Sequence, residues 1–189
     1  MNPTIDISAT VLTTPRLTLR PWRMSDLDDL YAYASVDGVG QMAGWTPHES
    51  REISRLILDR FIREKKTFAL VSKGQVIGSL GIEEYDELQF PELAQLRCRE
   101  IGYVLSKAFW GQGLMPEAVR QTLRYLFEEV RLDAVLCGHF PDNFQSARVQ
   151  AKCGFRHFAF SRVRTQDGST RPEEMNILTL TQWQTDRTQ

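Results

Sequence analysis

"FWGQGLMPEA", residues 109–118, joins two unlike patterns. Before it, "EIGYVLS" (100–106) reads as a buried strand; after it, "VRQTLRYLFEEV" (119–130) places Val119, Leu123, Leu126, Phe127 and Val130 three and four apart, the spacing of one helix face. Gly111 and Gly113 therefore stand at a strand-to-helix turn, with Pro116 in the first helical turn, where its missing N–H costs no hydrogen bond. A helix N-terminus leaves backbone N–H groups unpaired and carries partial positive charge. Glycines before it let a bulky anion approach the backbone. The stretch thus reads either as a pyrophosphate cradle or as a tight turn shaped by its glycines. A Walker loop needs Gly-Lys-Ser/Thr where Leu114-Met115-Pro116 stands. A dinucleotide fingerprint needs a glycine at Pro116 and an alternating βαβ chain.

Outward from the turn, the pattern is that of a mixed α/β domain. "RLTLRPW" (16–22) alternates as a first strand, and Ser25 is the expected cap of a short helix to about Ala34. "VDGVGQMAGW" (36–45) is a loop. Thr46-Pro47-His48-Glu49 has the layout of a helix start, predicting a helix to about Lys65 with Ile53, Leu56, Ile57 and Phe61 on its buried face. "TFALVSKGQVIGSLGIEEY" (67–85) reads as a hairpin about Lys73-Gly74. "LRCREIGYVLS" (96–106) and "LDAVLCGHF" (132–140) are further strands. Asp142 or Asn143 caps the helix in "NFQSARVQAKC", and Gly154 ends it. "FRHFAFSRVRT" and "EEMNILTLTQW" are closing strands about "QDGSTR".

Composition excludes more than it selects. The chain has 189 residues, 42% hydrophobic and 25% charged, and a net charge of −1. Such a balance gives no overall field for nucleic acid or an anionic membrane. No apolar run approaches a membrane span. The opening "MNPTIDISAT" lacks the layout of a secretory signal, and three scattered cysteines (Cys98, Cys137, Cys153) argue against a disulfide framework; the expectation is a cytoplasmic protein. Neither Cys137-x-His139 nor Cys153-x₃-His157 has the paired spacing of structural zinc, so no metal is expected. No cysteine stands in a setting that specifies a nucleophile.

Four stretches, taken in order, resemble one family. "EIGYVLSKAFWGQGLMPEAVRQTLRYLF" resembles the acetyl-CoA signature of the GNAT acyltransferase superfamily, Arg/Gln-x-x-Gly-x-Gly/Ala at a strand-to-helix turn. "PDNFQSARVQAKCGF" is similar to its second signature, Asn-x-x-Ser/Ala ending in Gly-Phe. "TPRLTLRPW" and "MAGWTPHESREI" resemble the opening of the ribosomal-protein N-terminal acetyltransferase branch (RimJ/RimL-like). Trp110 stands where the signature has Arg or Gln, Met115 where it has Gly or Ala, and Gln150 where many members carry a tyrosine acting as general acid.

The resemblance implies a single α/β (α+β) N-acetyltransferase domain over residues 1–189, core about 12–182. Its sheet would be mixed, mostly antiparallel, with about seven strands flanked by about four helices. It implies acetyl-CoA as cosubstrate, gripped at its diphosphate by Trp110, Gly111, Gln112, Gly113, Leu114 and Met115. Val104 and Leu105 would pair their backbone with pantetheine, and Asn143 and Ser146 would reach the pantetheine amide and the leaving sulfur. Glu100 stands where the family places its catalytic glutamate, with Glu83 and Glu84 as alternates. Each has a plainer reading: Glu100 as a solvated strand residue paired with Arg97 or Arg99, Asn143 as a helix cap, Ser146 as a first-turn residue bonding its own backbone. Arg148 and Lys152 read as a solvated face, or as an attraction for the CoA 3′-phosphate. Trp45, His48 and Tyr85 lie on segments that line the acceptor side in the family, though packing or capping explains each. The acceptor would be a primary amine, on a protein N-terminus or a small molecule. Relatives often dimerise, which adds a second copy of the chain to the candidate partners. A non-catalytic acyl-CoA-binding module remains the alternative.

Overall fold

The structure, a computed structural model, describes residues 1–186. Eight strands form one sheet in the order β1-β2-β3-β4-β5-β6-β8-β7. They are β1 (Leu12–Thr13), β2 (Thr18–Pro21), β3 (Thr67–Ser72), β4 (Gln75–Glu83), β5 (Cys98–Leu105), β6 (Ala134–His139), β7 (Arg156–Arg164) and β8 (Thr170–Thr179). Five helices flank it: α1 (Leu27–Ala34), α2 (Arg51–Glu64), α3 (Leu114–Glu128), α4 (Phe144–Lys152) and α5 (Leu180–Asp186). The expected mixed, mostly antiparallel sheet is present, with one strand and one helix more than expected.

β3 shows why the apolar run "TFALV" is unbroken. Phe68 and Leu70 pack on the α3 side, whereas Ala69 and Val71 pack on the α1–α2 side, so both faces are covered. On α3, Val119, Leu123, Leu126 and Phe127 are all buried, each contributing about 1.5–3 kcal/mol of burial. Lys73 and Gly74 both take positive φ, as the two-residue hairpin turn between β3 and β4 requires.

Every neighbouring pair of strands is antiparallel except β5 and β6. Those two run parallel, and their register covers only Cys98–Glu100 against Ala134–Leu136. Beyond it β5 continues to Leu105 and β6 to His139 with no ladder between them, so a wedge opens in the middle of the sheet. Opposite faces of β5 look into opposite halves of the molecule: Ile101 and Tyr103 face the α3 cluster, while Cys98 and Val104 pack on the other side, which by alternation is also the side of Glu100 and Gly102.

Four local expectations are corrected. Asp26, not Ser25, organises the start of α1: its carboxylate accepts from the Arg23 N–H and from both terminal nitrogens of Arg20, each at 2.8 Å. The Thr46 cap is not used either. The His48 N–H is held by the Ala34 carbonyl at 3.0 Å, and α2 starts later, capped by Ser50. Of the expected face, Ile57 and Phe61 pack against the core beside a buried Leu58, while Ile53 and Leu56 are 41% and 65% exposed. Finally, "EEMNILTLTQW" is a strand only to Thr179. Thr179 and Gln182 then form a reciprocal cap, each side chain accepting from the other's backbone N–H, and α5 begins.

Candidate active site

The wedge is a cavity of about 600 Å³. Its walls come from β5, the 110–116 turn, β6 and α4, with Val39 and residues 42–44 at one side and Glu173 of β8 at the other. A second groove, on the outer flank of α3, is lined by Arg120, Arg124 and Trp183 and contains none of the candidate catalytic residues.

One wall is made of backbone. The chain leaves β5 through a tight turn in which the Trp110 N–H donates to Lys107 O (3.1 Å) and the Trp110 indole N–H donates to Leu105 O (2.7 Å). Gly111 and Gly113 then take φ of 75° and 74°, a left-handed backbone that costs an L-residue roughly 1–2 kcal/mol. The N–H groups of Gly111, Gln112, Gly113, Leu114 and Met115 have no partner among the described residues. Arg16 braces this turn from outside, donating to Gln112 O (2.8 Å) and to the Glu117 carboxylate (2.7 Å). The brace turns a carbonyl outward and leaves a run of donors at the N-terminus of α3, a geometry suited to phosphate oxygens. Space is available: a Cβ placed on Gly111 would meet nothing within 4 Å.

The edge of β5 adds further donors. Ser106 N–H donates to Ile77 O, so the even-numbered residues of β5 pair with β4. Val104 therefore directs its backbone groups at Ser79, and Tyr103 and Leu105 present theirs to the wedge. The Leu105 carbonyl is taken by Trp110, which leaves its N–H.

The opposite side is acidic. Glu100 lines the cavity; neither Glu83 nor Glu84 does. The Glu83 carboxylate is paired with Lys66, and Glu84 is paired with Arg99. Glu100 has no hydrogen-bond or ion-pair partner among the described residues, so it is paired with neither Arg97 nor Arg99. Burial, reinforced by the nearby charges of Glu173 and Glu83, pushes its carboxyl up to about 8. It retains a partial opening to solvent through the cavity. A carboxyl in that range can exchange a proton near neutral pH.

A polar chain lies where α4 meets the wedge. Asn143 caps α4, accepting from Ser146 N–H (3.1 Å), and its amide donates to Met42 O (3.1 Å), tying the 41–43 turn to the mouth of the cavity. Gln150, fully buried, accepts from Asn176 (2.7 Å) and donates to Gly138 O and to Ser146 Oγ, both at 3.2 Å. The Tyr103 phenol lies 3.0 Å from the same Oγ. Because Gln150 donates into Ser146 Oγ, that hydroxyl keeps its own hydrogen to give, to Tyr103 or to a group in the cavity. Burial and the neighbouring Cys137 hold the phenol well above its ordinary range, so it stays protonated.

Residues 16–156 match the family model described as the acetyltransferase (GNAT) domain. The chain belongs to the GNAT acetyltransferase family. Within that family it is 28% identical over 152 residues to an uncharacterised N-acetyltransferase, p20, of Bacillus licheniformis, covering 77% of this chain and 82% of that one. It is 26% identical over 84 residues to the Escherichia coli [ribosomal protein uS5]-alanine N-acetyltransferase, covering 44% and 43% of the two chains. Among solved structures, the microcin C7 self-immunity acetyltransferase MccE, in complex with acetyl-CoA and AMP, superposes with a TM-score of 0.73 at 14% identity over 88% of this chain and 94% of that one.

Most of the residues expected from sequence to form the site meet in the wedge. Glu100, Leu105, Gly111, Gly113, Leu114, Met115, Asn143 and Ser146 all line it. Trp110 and Val104 line it too, but through their side chains, since their backbone donors are engaged within the protein. Gln112, also expected there, does not line the cavity; its side chain turns back to donate to Ala108 O (3.1 Å). Arg148 and Lys152 lie exposed along the cavity rim. Trp45, His48 and Tyr85 do not reach it; the His48 ring, for one, is buried against Ser54 Oγ at 2.8 Å. Three residues escaped the sequence reading. Tyr103 passed for strand core, although its place two residues from Ile101 put it on the α3 face. Arg16 was an ordinary strand residue, and Glu173 had no motif at all.

Proposed function

We propose that this GNAT enzyme transfers the acetyl group of acetyl-CoA to a primary amine by direct attack in a ternary complex. One observation carries the reading: a single wedge has a run of unpartnered backbone N–H groups on one side and an unpaired carboxyl, Glu100, on the other. The N–H groups of residues 111–115 hold the diphosphate, and the free edge of β5 aligns the pantetheine arm. An N–H of Tyr103 or Leu105 faces the thioester oxygen, where negative charge grows as the amine attacks; a fixed donor there is worth several kcal/mol.

The amine must shed its proton first, because an α-amine has a pKa near 7.7–8.0 and a lysine near 10.4. Glu100 receives that proton, directly or through water. Ser146, oriented by Gln150 and Tyr103, offers its hydrogen to the departing sulfur. The acceptor is a protein N-terminal α-amine or a small-molecule amine. Partial similarity to an enzyme named for acetylating the alanine of ribosomal protein uS5 supports including the first. The test is thioester cleavage followed with a thiol reagent against an amine and peptide panel, with Glu100→Gln alongside. Amine-dependent CoA release that the substitution abolishes supports the reading. CoA binding with no acetylation of any amine supports a binding module instead.

A further inference from the structure

Among the described residues, Glu173 is the one acidic side chain besides Glu100 that lines the cavity, and the proposed transfer does not use it. It lies on β8, opposite Ser161 of β7 and two residues from Met175, which pairs with Gly138 of β6. Side chains two apart share a face, as do cross-strand partners, so Glu173, Gly138, Leu136 and Glu100 all look to the same side of the sheet. What lets Glu173 reach the wedge is a missing side chain. A Cβ on Gly138 would collide with the Glu173 carboxylate, so the carboxylate lies across β6 in the slot that glycine leaves. Ser161 Oγ donates to Oε2 at 2.7 Å and fixes it there, while Oε1 has no donor among the described residues.

Two carboxyl groups therefore face one cavity, neither with a cationic partner among the described residues. His139 is close enough to Glu173 to favour its charge, and Arg164 lines the same cavity, yet no ion pair joins either to Glu173 or Glu100 among the described residues. No cluster of three or more acids, histidines or cysteines suited to a metal ion occurs among the described residues. The free Oε1 of Glu173, beside the Glu100 carboxyl, suits a small cation that carries several hydrogen-bond donors. A primary ammonium has three, and can give one to Glu173 while another is turned toward Glu100.

We propose that Glu173 is a positioning residue that receives the acceptor as its ammonium form and holds it beside Glu100. The inference rests on the acetyl transfer proposed above and names the side chain that selects a cationic acceptor over neutral nucleophiles of similar size. The proton count closes. The ammonium gives one proton to Glu100, which releases it to solvent. The neutral nitrogen forms its bond to the carbonyl carbon and sheds a second proton as the carbon–sulfur bond breaks, and that proton ends on the sulfur.

The test needs no natural acceptor. In the protein–CoA complex, n-butylammonium and butan-1-ol are titrated by NMR into wild type, Glu173→Gln and Gly138→Ala, the last displacing the carboxylate without removing it. The expected result is that butylammonium binds at least tenfold more weakly to both variants, while butanol affinity and the Kd for CoA stay within twofold. Equal butylammonium affinity in all three proteins overturns the proposal, as does tighter uptake of Mg²⁺ or Zn²⁺ than of butylammonium at these carboxylates. The CoA titration reads the underlying assignment separately: CoA bound normally with no ammonium preference removes the anchor alone.

Discussion

The two sides of the wedge are built by different means. The side proposed to hold the acetyl donor is one contiguous stretch, residues 105–116, working mostly through backbone groups; its turn, residues 107–113, is shaped by hydrogen bonds that span five residues or fewer, with Arg16 as an external brace. The side proposed to receive the acceptor is a set of single positions, Glu100, Gly138 and Glu173, gathered from three strands by the sheet. The difference teaches that backbone recognition leaves a motif, because every residue of the turn must permit the conformation. Side-chain recognition by a sheet leaves only scattered letters.

Substitutions should separate the two sides, and Glu100→Gln should do so most sharply. Its kcat should fall roughly 10²–10⁴-fold while the Kd for acetyl-CoA holds steady, measured by steady-state kinetics and calorimetry. A matching fall in CoA affinity would merge the two sides into one. On the donor side, Gly113→Val forces an L-residue into φ 74° at the start of α3. Acetyl-CoA affinity should drop at least tenfold, with a stability loss of about 1–2 kcal/mol by denaturant titration. Ser146→Ala sits between the sides and should lower kcat about five- to tenfold, the worth of about one hydrogen bond, with KM for the amine unchanged.

The acidity of Glu100 gives a subtler probe. Because its carboxyl is raised to about 8, kcat/KM should climb with pH through neutrality and level off above about 8. Glu173→Gln should move that limb to lower pH, since it removes the larger of the two raising charges. Stability should run the other way. The folded state holds a proton on Glu100 that the unfolded chain releases above the ordinary glutamate value of 4.5, so folding loses stability as pH rises from there to about 8. Glu100→Gln should therefore raise Tm by several degrees at pH 9 and hardly at all at pH 4. The smallest expected effect is a control away from the wedge. Ser50→Ala removes the cap of α2 and should cost about 1 kcal/mol with no change in CoA binding.

The same contrast explains what could be read in the sequence. The strand, glycine turn and helix around residue 111 were legible because propensity, pattern and motif agree there. The start of α2 was misread although Thr46-Pro47 carries every local signal. A tertiary bond from the His48 N–H to the Ala34 carbonyl at the end of α1 holds that segment out of the helix, and the local cap pattern at residues 46–49 carries no sign of it. The opening of α5 was legible in principle, since Thr179-x-x-Gln182 is a capping pair, but the alternation of "MNILTLTQW" favoured a strand. Glu100 was found because its neighbours form a motif. Glu173 was not, because its position depends on an absent side chain two strand positions away on another strand.

The central claim is that the amides of residues 111–115 hold the diphosphate of acetyl-CoA. ¹H–¹⁵N spectra recorded through an acetyl-CoA titration test it directly. The account predicts saturable shifts of the Gly111, Gln112, Gly113, Leu114 and Met115 amides, with the Trp110 amide, already bonded to Lys107, moving least. Saturation that leaves those five amides unmoved, or that moves the groove on the outer flank of α3 instead, would contradict it.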